Sequence, residues 1–130
     1  MVAVIDIGAT SLRMQIAEIK ANGVVRKLES FGQAVSLAKD SFIQGFISRE
    51  TIEDCVQVLE IYRSKLNEYG IVDPSQIRVI ATSGVREATN RLAFVDRIFV
   101  ATGLEIEPFE EALVSAGTIS FGPSSYGYDF

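Results

Sequence analysis

The chain has 130 residues, 48% of them apolar, with 17 acidic against 12 basic side chains for a net charge of −5. That is enough apolar surface for one ordinary core; the acidic balance argues against a protein that coats nucleic acid, and no apolar run approaches the roughly 18 uncharged residues of a membrane helix. The absence of histidine excludes Ser-His triads, imidazole acid–base chemistry and His-metal sites within this chain, and a lone Cys55 excludes a disulfide framework or a cysteine-metal cluster.

Asp6 interrupts the apolar start too early for a secretory signal, so a cytoplasmic setting is expected, with no membrane partner. Val2 to Ile7 reads as a buried strand. After Gly8-Ala9-Thr10-Ser11, alternation of Leu12, Met14 and Ile16 with Arg13, Gln15 and Ala17 predicts a second strand to about Ile19. Asn22-Gly23 marks a hairpin into a third strand from Val24 to about Val35. Ser36 to Phe46 reads as a loop.

Ser48 then caps a helix from Arg49 to Tyr69, with an apolar stripe at Ile52, Cys55, Val56, Leu59, Tyr62, Leu66 and Tyr69 and Gly70 as its stop. Asp73-Pro74-Ser75 predicts a turn, and Ile77 to Ala81 a fourth strand. A short helical turn after Thr82-Ser83-Gly84 leads to Asn90, expected to cap a helix to Thr102 that buries Phe94, Val95, Ile98 and Phe99, with Gly103 ending it. Leu104 to Pro108 predicts a fifth strand, with Glu105 and Glu107 on the face opposite Leu104 and Ile106, and a last helix runs from Phe109 to near Gly122. The order β-β-β-α-β-α-β-α implies an α/β fold with a mixed five-stranded sheet and flanking helices. Residues 1–121 are expected to form one domain, and 122–130 to begin a linker toward a second domain.

Two stretches stand out for chemistry. Asp6-Ile7-Gly8-Ala9-Thr10-Ser11-Leu12-Arg13 and Ala81-Thr82-Ser83-Gly84-Val85-Arg86-Glu87-Ala88-Thr89-Asn90 each leave a predicted strand and offer glycine, small hydroxyls and an arginine. Those groups let a backbone approach phosphate oxygens, donate to them and neutralise them. In an acidic chain such local groups would have to supply the attraction for a polyanion.

Together the two stretches resemble the exopolyphosphatase and guanosine-pentaphosphate phosphatase (Ppx/GppA) family, a branch of the actin-like ATPase superfamily with a ribonuclease-H-like fold. The family's Asp-x-Gly-Ser-Asn-Ser-x-Arg is matched at Asp6, Gly8, Ser11 and Arg13, and its Ala-Thr-Ser-x-x-Arg-Glu-Ala-x-Asn at every fixed position from Ala81 to Asn90. Its Glu-Glu-Ala helix start is matched by Glu110, Glu111 and Ala112. Thr10 replaces the usual Asn, Leu113 stands where the family has Arg, and Pro108-Phe109 alters the lead-in. The family's glycine-rich second phosphate loop does not occur in these residues.

The resemblance implies a phosphoanhydride hydrolase that acts on inorganic polyphosphate or a guanosine penta/tetraphosphate, with Mg²⁺ as cofactor and Asp6 as a candidate metal ligand. It further implies a second actin-like domain of the same protein, and it allows a homodimer. Gly8, Thr10, Ser11, Arg13, Ser83, Gly84 and Arg86 become candidate phosphate contacts. Asp6 and Glu111 become candidate catalytic residues, Glu111 as the base that activates water.

Each residue also has a plainer reading. Asp6 could cap its turn, Gly8 serve turn geometry alone, and Thr10 and Ser11 satisfy local backbone. Arg13 could be salt-bridged on a strand face. Glu110 and Glu111 suit the start of a helix by its dipole; Asn90 reads as a cap and Cys55 as core. Two rivals stand beside the hydrolase: a regulatory module that binds a phosphorylated nucleotide without cleaving it, and an actin-like sugar or acid kinase fragment. The first stretch suits the kinase, whereas the second does not. The isolated chain is expected to have little or no activity.

Overall fold

A computed structural model describes residues 1–107. The expected helix from Phe109, with Glu110, Glu111 and Leu113, and the expected linker from residue 122 lie outside the described residues.

Three hairpin-linked strands, β1 (Val2–Ile7), β2 (Ser11–Ile19) and β3 (Val25–Ala34), are followed by α1 (Leu37–Gln44) and α2 (Arg49–Glu68). A single 3₁₀ turn (Pro74–Gln76) leads into β4 (Ile77–Ala81), then α3 (Ser83–Arg86) and α4 (Arg91–Thr102). The sheet order is β3-β2-β1-β4, with β1 antiparallel to β2 and parallel to β4. This is the mixed sheet expected, with four strands among the described residues rather than five.

The missing strand is instructive. Leu104 and Ile106 are buried and Glu105 is exposed, as the alternation requires. The segment nevertheless lies beside β4 with a backbone bond only from Glu107 N–H to Val79 O at 2.8 Å among the described residues. Glu107 is held there by a bidentate pair with Arg78, at 2.6 and 3.1 Å. Alternating burial follows from facing a core; a strand also needs a ladder.

Register assigns the faces. Ala3, Ile5 and Ile7 of β1 sit beside Ile16, Met14 and Leu12 of β2 and beside Ile77, Val79 and Ala81 of β4. These side chains join one core with Cys55, Val56, Leu59, Tyr62 and Leu66 of α2 and Phe94 and Ile98 of α4. Burying each large aliphatic or aromatic side chain contributes about 1.5–3 kcal/mol. Val4 and Asp6 therefore project from the opposite face. Burial raises the Cys55 thiol to about 12, so it stays protonated at neutral pH. Phe99, expected in the core, is 46% exposed because the stripe of α4 turns away after Ile98.

The segment expected to be a loop contains α1. Only Leu37 and Ser41 of this helix are buried, one turn apart, while Phe42 and Ile43 face outward. So narrow a stripe leaves almost no periodic signal. Gly45, at φ +78°, ends α1 in the left-handed conformation, and its N–H donates to Ser41 O. Ser48 then caps α2 as expected, accepting from Thr51 N–H at 3.2 Å.

Asp40 of α1 ties the two helices together by accepting from Ser48 N–H at 2.9 Å. Hydrogen bonds from Ser48 and Thr51 hold its carboxyl below the ordinary 3.8. A depressed folded value means that the contribution is complete above the unfolded pKa and is lost as pH falls through the folded one. Asp40→Asn keeps an acceptor without the charge, so it should cost about 1 kcal/mol near neutrality, the difference between a hydrogen bond to a charged and to a neutral acceptor. The gap from wild type should begin to narrow as pH falls past the ordinary 3.8 and close only below the depressed folded value. Denaturant titrations of both proteins across pH 2–7 check this, and a gap that does not change with pH would refute it.

Candidate phosphate-binding site

The two motif loops leave adjacent parallel strands at the same end. Asp6 pairs in register with Ile80 and Ile7 with Ala81, so residues 8–10 and 82–86 emerge side by side. In open α/β sheets this carboxyl edge is where ligands bind. Thr82 joins the two exits: its N–H donates to Ile7 O at 3.1 Å and its hydroxyl to the same oxygen at 3.3 Å.

Gly84 makes the contact tight. A Cβ added there would lie 3.2 Å from Ala9 Cα, 3.3 Å from Leu37 Cβ and 3.4 Å from Ala38 N. The second loop thus rests on the backbone of the first, and both rest on the start of α1. Gly8 is buried where its N–H donates to Ser11 O at 2.9 Å, closing the first turn. Thr10 is exposed and Ser11 half-buried.

Asp6 is only 2% exposed, and the register sets Arg13 directly across from it on β2. That placement favours the salt-bridged reading of Arg13 over a phosphate contact. Ser83 opens α3. The N–H groups of Val85 and Arg86 both donate to Thr82 O, at 3.0 and 3.1 Å, so they are used inside the turn rather than left for an anion. Arg86 itself is half-buried, and its Nε is buried without a hydrogen-bond partner among the described residues. A buried unsatisfied donor costs about 1–3 kcal/mol, more when charged, and an incoming anion would relieve that cost.

Asn90 departs from its expected role. It occupies the N-cap position of α4, but its side chain makes no capping bond there. Its amide instead grips Ile47: Nδ2 donates to Ile47 O and Oδ1 accepts from Ile47 N–H, each at 2.9 Å. Neither α1 nor this grip is legible locally, because both depend on distant partners: Ala9 and Thr89 for the helix, and Ile47, 43 residues away, for Asn90.

For Mg²⁺, the local donor set is one carboxylate, Asp6, with the hydroxyl-bearing residues Thr10, Ser11 and Thr82 nearby in the fold; no group of three acidic, His or Cys side chains gathers among the described residues. Such a set fits a cation that keeps most of its waters and shares substrate oxygens, as Mg²⁺ does, and does not fit an ion caged by protein alone.

The Ppx/GppA phosphatase family matches this chain over residues 15–121. The bifunctional 3-dehydroquinate synthase/phosphatase of Fusobacterium nucleatum is 32% identical over 108 residues, which cover 80% of this chain and 16% of that protein. A Ppx/GppA family member of Aquifex aeolicus, known by crystal structure, shares 32% identity with a TM-score of 0.75, over 82% of this chain and 33% of that one. An exopolyphosphatase from Cytophaga hutchinsonii gives a TM-score of 0.74 at 27% identity, over 82% of this chain and 33% of that one. The chain therefore spans about a sixth of the curated relative and about a third of the solved structures. With most of its length matched by the family and its sheet and loops placed as described, this chain belongs to the Ppx/GppA phosphatase family and has the fold of its N-terminal, actin-like ATPase domain.

Proposed function

We propose that this chain forms the phosphate-gripping half of a phosphoanhydride hydrolase, which releases the terminal phosphate of inorganic polyphosphate or of a guanosine penta/tetraphosphate. The observation that carries this reading is the contact of Gly84 with Ala9, which brings both motif loops to one edge of one sheet. The family membership and the exopolyphosphatase neighbour support the same chemistry.

In this reading the backbone and hydroxyls of Gly8 to Ser11 hold phosphoryl oxygens, Ser83 and Gly84 close over them, and Arg86 neutralises charge. Asp6 would hold Mg²⁺, which supplies charge neutralisation at the phosphoryl oxygens. Glu111 takes a proton from the attacking water or orients it. Phosphoryl transfer needs little covalent help, so positioning and electrostatics do most of the work. A second actin-like domain would supply the facing wall of the cleft.

The test is a phosphate-release assay on the full-length protein with polyphosphate and with guanosine pentaphosphate, paired with calorimetric binding. Binding without release would favour the regulatory module and overturn the hydrolase. Arg86→Ala is the sharper probe of the site. It removes a buried unsatisfied donor, so the melting temperature should hold or rise. Phosphate affinity should fall about 10- to 100-fold, the worth of one charge-assisted hydrogen bond. Unchanged affinity would remove Arg86 from the site.

A further inference from the structure

Helix α1 touches the site at one end and the Asn90 grip at the other. At its start, Ala38 N–H donates to Ala9 O at 2.9 Å, and just before it Val35 N–H donates to Thr10 O at 3.1 Å. Two successive carbonyls of the first loop are thereby tied to the segment that enters α1. A trans peptide carries its N–H opposite its C=O. Fixing Ala9 O on Ala38 therefore turns the Thr10 N–H away from α1. Gly84 rests on the same residues, Leu37 and Ala38.

At the other end, Thr89 N–H donates to Gly45 O at 2.8 Å, and both halves of the Asn90 amide hold the backbone of Ile47. Ile47 is itself 1% exposed in the core. The end of the second motif thus clamps the exit of α1, while its beginning packs on the entry. An eight-residue helix with two buried side chains has little else to fix it.

We propose that Asn90 is a positioning residue for the first phosphate loop: its grip on Ile47 fixes α1, and α1 fixes the Ala9–Thr10 peptide against Gly84. The inference rests on the phosphate-binding reading of that loop. Its chemistry explains why an amide side chain stands at this position. Only a group with one donor and one acceptor side by side can satisfy the N–H and C=O of a single residue at once. Aspartate would lose the donor and set a negative charge against Ile47 O.

Three full-length proteins test it: wild type, Asn90→Ala, and Ile98→Val as a control that loosens the core beneath α4 without touching α1. Native-state hydrogen exchange reads the mechanical link directly. Asn90→Ala should speed exchange at the Ala38 N–H at least tenfold more than Ile98→Val does. Calorimetry with inorganic phosphate, well below the melting temperature, reads the consequence. Asn90→Ala should weaken binding about tenfold or more, since a small misplacement of a binding group is costly, and Ile98→Val should leave it within twofold.

Equal exchange at Ala38 in the two variants would overturn the proposal, as would phosphate affinity in folded Asn90→Ala within twofold of wild type. Failure of wild type itself to bind any phosphate compound would instead sink the function proposed above, and the Ala38 exchange would still decide whether the clamp exists.

Discussion

Glu111→Gln in the full-length protein is expected to lower kcat by about 10²- to 10⁴-fold, the usual worth of a positioned general base, with KM little changed. The exchange keeps size and hydrogen-bonding reach but removes the ability to accept a proton. With histidine absent from this sequence, a carboxylate is the natural candidate for the role. Glu110→Gln is the control. On the helix that the sequence predicts from Phe109, neighbouring positions would point about 100° apart, so the two glutamates should not share one task, and Glu110→Gln should retain most of its turnover. Steady-state phosphate release on both variants decides the matter. Near-wild-type turnover in Glu111→Gln would remove this residue from the mechanism, and equal losses in the two would assign them a joint electrostatic role instead.

The second large effect is expected at Gly84, where the structure leaves no room for a side chain. The atoms that a Cβ would meet at 3.2–3.4 Å are Ala9 Cα, Leu37 Cβ and Ala38 N, two of them backbone and the third the root of a buried side chain. None can rotate aside. Gly84→Ala must therefore push the second loop off the first by a few tenths of an ångström, and Gly84→Val by more. Overpacking of this kind costs about 1–3 kcal/mol. Because the displaced atoms are the proposed phosphate cradle, Gly84→Val should also lose tenfold or more in affinity for inorganic phosphate while still folded. Gly32→Ala supplies the contrast: nothing lies within 4 Å of its added Cβ. It should be neutral or slightly stabilising, since the unfolded chain loses freedom. Melting curves and calorimetry on the three variants provide the check, and wild-type stability and binding in Gly84→Val would show that the loops are not in functional contact.

Both effects trace to residues that stand out in the linear chain, yet for different reasons. Asp6, Gly8, Ser83, Gly84 and Arg86 are residue types suited to phosphate, placed next to strand ends. The structure adds why the glycine at 84 is required: it is a packing contact between loops far apart in sequence. Arg13 shows the converse. Its chemistry suits phosphate, but the pairing of β1 with β2 sets it against Asp6. Asn90 reads as a helix cap because Asn is common there, and only the tertiary structure offers it Ile47, a partner it can satisfy with both amide groups.

What the chain alone determined are the features written in short-range physics. The alternation of β1 and β2, the Asn22-Gly23 hairpin, the stripe and Ser48 cap of α2, the limits of β4 and the stop at Gly103 all follow from spacing and backbone preference within a few residues. What only the folded molecule decided depends on distant partners. Helix α1 exists although just two of its side chains are buried, because its entry and exit are anchored by Ala9 and by Thr89 and Asn90. The segment from Leu104 to Glu107 alternates like a strand but gains only one described backbone bond to β4. Burial periodicity is set by a nearby core and is legible locally, whereas hydrogen-bond partners and loop-to-loop contacts are supplied by chain segments that a linear pattern cannot bring together.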